Sequence, residues 1–149
     1  MLYQKQKYLH DPENGVYGDC YRTCIANLLD LPRDSVPNWI GIHWGSSYDD
    51  WNNAVIDFLK SHNLSKVTVV RECTLFYLLE EQGLLNPNAY YMLNGSSSNN
   101  TEHVVICCGS NIVFDPSLDD SGIVAPCSEG CYYIEYLIPL SMVKGDSVE

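Results

Sequence analysis

A cysteine becomes a nucleophile when its thiolate is favoured and a base stands beside it, and one cysteine of this chain has both in prospect. Cys20 follows Asp19, a residue type suited to cap a helix, and opens a run in which Cys20, Cys24, Leu28 and Leu31 recur at helical spacing. The spacing predicts a helix from Asp19 to the stop at Pro32, with Cys20 in its first turn. There the unpaired amides and the helix dipole favour a thiolate. His103 opens the strand-like run His-Val-Val-Ile-Cys-Cys, and Asp115 lies twelve residues on, at the end of the next such run. Two adjacent antiparallel strands can bring those ends together, so that Asp115 orients His103 and His103 serves Cys20 as base. Asn14, six residues before Cys20, supplies an amide that can donate to a developing oxyanion together with the Cys20 backbone N–H.

Each of these residues also has a plainer use. Cys20 alone is the composition of a buried filler, His103 of a strand edge, and Asp115 of a turn before Pro116. Only their conjunction points to catalysis. A different chemistry is open to Cys20-x3-Cys24 and Cys127-x3-Cys131, because four thiols satisfy tetrahedral zinc. Neither pair has the two-residue spacing of a zinc knuckle, and the expectation is a site without metal or other cofactor. Cys73, Cys107 and Cys108 fall in apolar runs and read as core. His10, His43 and His62 have no partner pattern.

The elements that must position these groups are legible as periodicity. A second helix is expected over residues 49–62, with Trp51, Val55, Phe58 and Leu59 inward, and a third over 73–82, ending at Gly83. β-branched and aromatic runs predict strands at 67–70, 89–93, 103–108, 112–114 and 131–138. Gly109-Ser110-Asn111 reads as a hairpin turn, and residues 94–101, rich in Ser and Asn, as a loop. Helices precede an antiparallel sheet, so the class is α+β in a single domain over 1–149.

The 149 residues carry 8 bases against 19 acids, a net charge of −11, which disfavours a duplex-binding surface. The first 33 residues hold four bases and four acids, so any anionic ligand should prefer that third. No apolar run is long enough to span a bilayer and no signal-peptide pattern opens the chain, so the expectation is a cytoplasmic protein with no membrane partner. Seven cysteines, an odd number, do not suggest a disulfide framework.

Asn14-x4-Asp19-Cys20 on a helix, followed by His103-Val-Val and Phe114-Asp115-Pro116, resembles the papain-like fold. Within it the pattern is similar to the double-glycine leader peptidase domain, where Gln-x4-Asp-Cys precedes a His strand and an Asp-Pro. The resemblance runs from Asn14 to Pro116 and takes in the final strand. It implies that Cys20, His103 and Asp115 are catalytic. Asn14 stands where that family has Gln, and Tyr21 where it usually has Gly. A narrower resemblance, through Gly18-Asp19-Cys20-Tyr21-Arg22-Thr23, Leu31-Pro32 and Val36-Pro37, is to phage-encoded papain-fold proteins that include anti-CBASS phosphodiesterases. It implies hydrolysis of a cyclic dinucleotide immune signal such as 3′,3′-cGAMP in the host cytosol, in evasion of host defence. On that reading Arg22 pairs with phosphate, and Tyr17, Tyr21 and Trp44 are candidate stacking platforms for bases. The alternatives are a peptidase or deamidase using the same residues on an amide, and an inactive module that sequesters its ligand.

Overall fold

The computed structural model describes residues 1–145. Four α-helices, α1 (Cys20–Leu28), α2 (Trp39–Ile42), α3 (Tyr48–Lys60) and α4 (Leu75–Leu85), accompany five strands. The strands β1 (Leu64–Arg71), β2 (Tyr90–Ser96), β3 (Glu102–Cys108), β4 (Asn111–Phe114) and β5 (Tyr132–Pro139) form one antiparallel sheet in the order β1-β5-β2-β3-β4. The expected α+β class is therefore observed.

Alternation along the strands divides the core in two. Met92, Val104 and Ile106 pack with Cys24, Ile25 and Ala26 of α1 and with Val55 and Leu59 of α3. Tyr91, Leu93, Val105, Cys107 and Ile134 pack on the opposite side with Leu78 of α4. Helix α1 lies against β3 and α3 against β1, so the helix that opens with Cys20 rests on the strand that carries His103. Cys107 is core as expected, and burial pushes its thiol up to about 12.

The expected elements are present with shifted ends. Helix α1 stops at Leu28, because Asp30 takes a left-handed φ of 57° before Pro32 is reached. Helix α3 is capped by the Ser47 side chain, which accepts from the Asp50 amide, and α4 by Thr74, which accepts from Tyr77. The segment expected to be a loop from 94 onward begins as strand, since β2 runs to Ser96 and Ser97 is buried. Gly83 does not end α4. It lies inside the helix, where a Cβ would stand 2.7 Å from the Ser110 Cβ in the β3–β4 turn. Gly83 is thus there for close approach.

Replacing glycine by alanine within a helix ordinarily stabilises by about 0.5–1 kcal/mol. At this position overpacking against Ser110 should reverse the sign, to a loss of about 1–2 kcal/mol for Gly83→Ala in urea melts. Gly83→Ala combined with Ser110→Gly should recover most of that loss.

Candidate active site

His103 enters β3 opposite Gly95, and its Nε2 meets Asp115 Oδ1 at 2.6 Å. The geometry comes from the β3–β4 hairpin. Pairing runs Cys108↔Asn111 and Cys107↔Ile112, then shifts by one residue to Ile106↔Phe114. β4 ends at Phe114, so Asp115 stands at the exit of the hairpin strand, where its carboxylate is fixed by His103 and by the turn that follows. The Asp115 carboxylate is held further by the Ser117 amide, at 2.9 Å on Oδ1, and the Gly122 amide, at 2.8 Å on Oδ2. Gly122 makes the second contact from a left-handed φ of 65°, which suits glycine.

Cys20 lines the same cavity wall as His103 and is near enough to raise the His103 pKa. With Nε2 committed to Asp115, Nδ1 is the ring nitrogen left for the thiol. Burial is the largest single influence on His103 and pulls its pKa down. The hydrogen bonds and negative charge of Asp115 and Cys20 outweigh it, and His103 is pushed up to about 9. Burial would raise Asp115, yet the His103 bond and the two amides hold it below its ordinary value. The pair is therefore arranged as carboxylate and imidazolium, with the thiol at the first residue of a nine-residue helix.

Asp19 and three expected site residues, Arg22, Asn14 and Tyr17, are placed elsewhere. Asp19 precedes α1 but makes no side-chain cap. Its buried carboxylate instead accepts the Lys7 and Tyr8 amides, both at 2.9 Å on Oδ1, and Arg22 Nε at 3.0 Å on Oδ2. Arg22 is accordingly not a substrate ligand: it is buried, its Nε bonded to Asp19 and its Nη1 to the Val36 carbonyl at 3.0 Å. One helical turn carries it round to Asp19 and away from the Cys20 thiol. Asn14 is exposed on a short 3-10 turn with its amide donating to Asp11 Oδ2 at 2.7 Å, and it does not line the cavity that holds Cys20. It is not the oxyanion donor. Tyr17 is also off the cavity wall and stacks on Trp44, ring centroids 5.2 Å apart.

Gln6, which no expectation named, lines the cavity with Cys20 and His103, is only 5% exposed, and donates through Nε2 to the Tyr8 carbonyl at 2.6 Å. Its Oε1 is buried without a partner. No local pattern announces Gln6, because it comes from the extended segment ahead of α1.

The cavity measures about 1260 Å³ and is walled by Trp44, Tyr48, Trp51 and Tyr133. Trp44, half exposed, meets His10 edge-on with centroids 5.1 Å apart. His10, for which sequence offered no role, is a cavity residue that accepts the Gly18 amide on Nδ1. Tyr21 also lines the cavity, but as a buried residue whose hydroxyl donates to Glu135. Burial above all, and then Glu135, keeps that phenol protonated. Glu135 also pairs with Lys66 at 2.6 Å, both side chains being nearly inaccessible, while Lys66 lies over the Trp51 ring. Four carboxylates, Glu102, Asp119, Glu129 and Glu135, face the cavity against the single lysine Lys66. The cavity is acidic, contrary to a site that draws anions by net charge.

Among the described residues the two Cys-x3-Cys pairs do not converge as a four-thiol site. Cys24 is fully buried with its thiol on the Val104 carbonyl, 3.6 Å away. Glu102, Cys127 and Glu129 do bring ligand atoms within 4.8 Å of one another on the cavity wall. Burial first, then the two carboxylates, pushes the Cys127 thiol up to about 12. Comparison with protein-family models, curated proteins and solved structures finds no match for the chain. No helix of the described residues is long and apolar enough to cross a membrane.

Iodoacetamide at neutral pH should label Cys20 first, as read by peptide mapping. Cys127 lines the same cavity but is held protonated, and its preferential labelling would remove Cys20 as the nucleophile. A second expectation follows from His103. Its folded pKa lies above the ordinary 6.5, so its contribution to stability is complete below pH 6.5 and is lost as pH rises through about 9. The thermal midpoint should fall across that window in the native protein and not in His103→Gln. The kcat/KM profile should lose its upper limb near the same pH, where the acid form disappears.

Proposed function

We propose that this protein is a cysteine hydrolase that opens a cyclic dinucleotide at a phosphodiester bond. The carrying observation is that Cys20 and His103, the latter bonded to Asp115 behind it, share the wall of a cavity of about 1260 Å³, larger than the roughly 300–1,000 Å³ of ordinary small-ligand pockets. Space of that order suits two nucleosides and their linking phosphates. The half-exposed Trp44 ring offers a stacking face, and the cavity carboxylates suit the exocyclic amines of purines, which are donors. The charge of the phosphodiester transition state falls to the His103 imidazolium, the α1 N-terminus and the Gln6 amide, since Arg22 is engaged elsewhere.

Attack by the Cys20 thiolate on phosphorus forms an S–P bond and breaks the P–O3′ bond, and His103 gives its proton to the departing ribose oxygen. Water, losing a proton to His103, then attacks phosphorus and releases the thiolate. One water is consumed and a linear dinucleotide with a terminal phosphate is formed. The narrower resemblance of the sequence supports the same substrate class and, with it, removal of a host alarm signal. The acidic cavity favours a second reading, cleavage of an amide in a basic peptide, in which the same three residues act and Gln6 holds the carbonyl oxyanion.

The test is turnover of 3′,3′-cGAMP and of a panel of Lys/Arg-rich peptides by the native protein and by Cys20→Ala. Turnover of the dinucleotide, lost in Cys20→Ala, is expected. Trp44→Ala should raise KM about 5- to 150-fold, the equivalent of one lost base stack. A 2′-deoxy analogue should still be cleaved if sulfur attacks phosphorus, whereas attack by the ribose hydroxyl would leave it intact. Cleavage of peptides alone would transfer the assignment to amide chemistry.

A further inference from the structure

Asp19 and the segment ahead of the helix have no part in the three-residue mechanism, yet their contacts converge on it. Residues 4–8 form a strap between the nucleophile helix and the loop that carries Asp115. Gln4 is tied to α1 through the Asn27 side chain, its amide N–H donating to Asn27 Oδ1 at 3.0 Å. Gln6 N–H donates to the Pro116 carbonyl at 2.8 Å, and Lys5 Nζ to the Asp115 carbonyl at 2.8 Å. The Lys7 and Tyr8 amides both end on the Asp19 carboxylate at 2.9 Å. Asp19 is wholly buried and its charge is met by Arg22, whose guanidinium is itself bonded to the Val36 carbonyl.

We infer that Asp19 is a positioning residue for the reaction, acting through the strap to fix the Gln6 amide on the cavity wall it shares with Cys20 and His103. The inference rests on the cysteine-hydrolase reading and goes beyond it. A carboxylate one residue before the nucleophile is an expensive neighbour for a thiolate unless its charge is neutralised, and Arg22 does that. What the carboxylate provides in return is two fixed N–H contacts immediately after Gln6, while the Pro116 carbonyl fixes Gln6 itself. The Gln6 side chain closes the arrangement by donating back to the Tyr8 carbonyl within the same strap. The Gln6 backbone is thereby fixed at its own N–H and at the two amides that follow, and its side chain at Nε2, so that an oxyanion donor there reorganises little during reaction. Arg22 takes its meaning from this role as well: it neutralises Asp19 beneath the strap.

The experiment uses p-nitrophenyl acetate as the probe. Thiolate attack on its carbonyl passes through an oxyanion, expels p-nitrophenolate and leaves a Cys20 thioester, so the burst of nitrophenolate reads the oxyanion donor. Alkylation by iodoacetamide needs no such donor and reads the nucleophile alone. Gln6→Ala should slow the burst about 10²- to 10³-fold and leave alkylation unchanged. Asp19→Asn should slow the burst by at least about 10-fold, and in the Gln6→Ala background by less than about 3-fold, because the two act as one unit. Tyr8→Pro, which deletes one strap N–H at an exposed position and leaves the Asp19–Arg22 pair in place, should show the same non-additivity if Asp19→Asn does not fold. Losses that multiply, or an Asp19→Asn variant whose alkylation falls as far as its burst, would overturn the positioning role and leave the hydrolase reading standing. A native protein with no Cys20-dependent burst would overturn the hydrolase reading and the inference with it.

Discussion

The bond from His103 Nε2 to Asp115 Oδ1, 2.6 Å long, is the constraint on which the candidate site depends. The β3–β4 hairpin makes it possible: His103 lies near the start of one strand and Asp115 directly beyond the end of the other, with Val113 the extra residue where the register shifts opposite Ile106 and Cys107. The Ser117 and Gly122 amides then hold the carboxylate where the hairpin leaves it. Helix α1 packs on the same strand β3, so the thiol, the imidazole and the carboxylate are referred to one piece of backbone. Orientation of this kind is what a reactive group built from three common residue types requires.

The charges show how little net balance says about a binding site. Residues 1–33 are neutral in sum, and proximity of Arg22 to Cys20 in the chain makes that region look receptive to phosphate. In the folded molecule Lys5 pairs with Asp120, Arg22 with Asp19, and Arg33 with Asp34. Three of the four bases are thus occupied by acids, one of them, Asp120, from far along the chain. The cavity is instead bounded by carboxylates and one lysine, itself paired with Glu135. What it offers a ligand is aromatic faces, acceptors for N–H groups and the imidazole of His103.

The N-terminal segment has a similar history. Its residues look like a turn-rich lead into the first helix, yet it is bonded to α1 through Asn27 and Asp19 and to the loop after β4 through Pro116 and Asp115. A strap of this sort lets two elements that are distant in sequence share one wall of a cavity. It also explains why Asp19 is spent on backbone amides of residues 7 and 8 and makes no cap on its own helix.

Sequence by itself located most of the elements, though not the short α2, and placed Cys20, His103 and Asp115 at the ends of theirs. Periodicity located α1, α3, α4 and all five strands to within a few residues, because the repeats of 3.6 and 2 are local properties of the backbone. Cys20, His103 and Asp115 were legible because each sits at an element's end, where helix amides or a hairpin dictate its neighbours. Asn14 and Arg22 have their partners Asp11 and Asp19 only three residues away, a spacing that one helical or 3-10 turn brings together, and these local pairs take both side chains out of the cavity. Gln6 is a different case. Its part was not legible, because the strap that carries it onto the cavity wall is set by contacts with Asp19 and Pro116, which spacing along the chain does not encode. Gly83 followed the same rule: read locally it stops a helix, but the approach of Ser110 from the β3–β4 turn requires it inside one. Local backbone geometry repeats and can be read from spacing, whereas contacts between distant segments are chosen only when the layers pack.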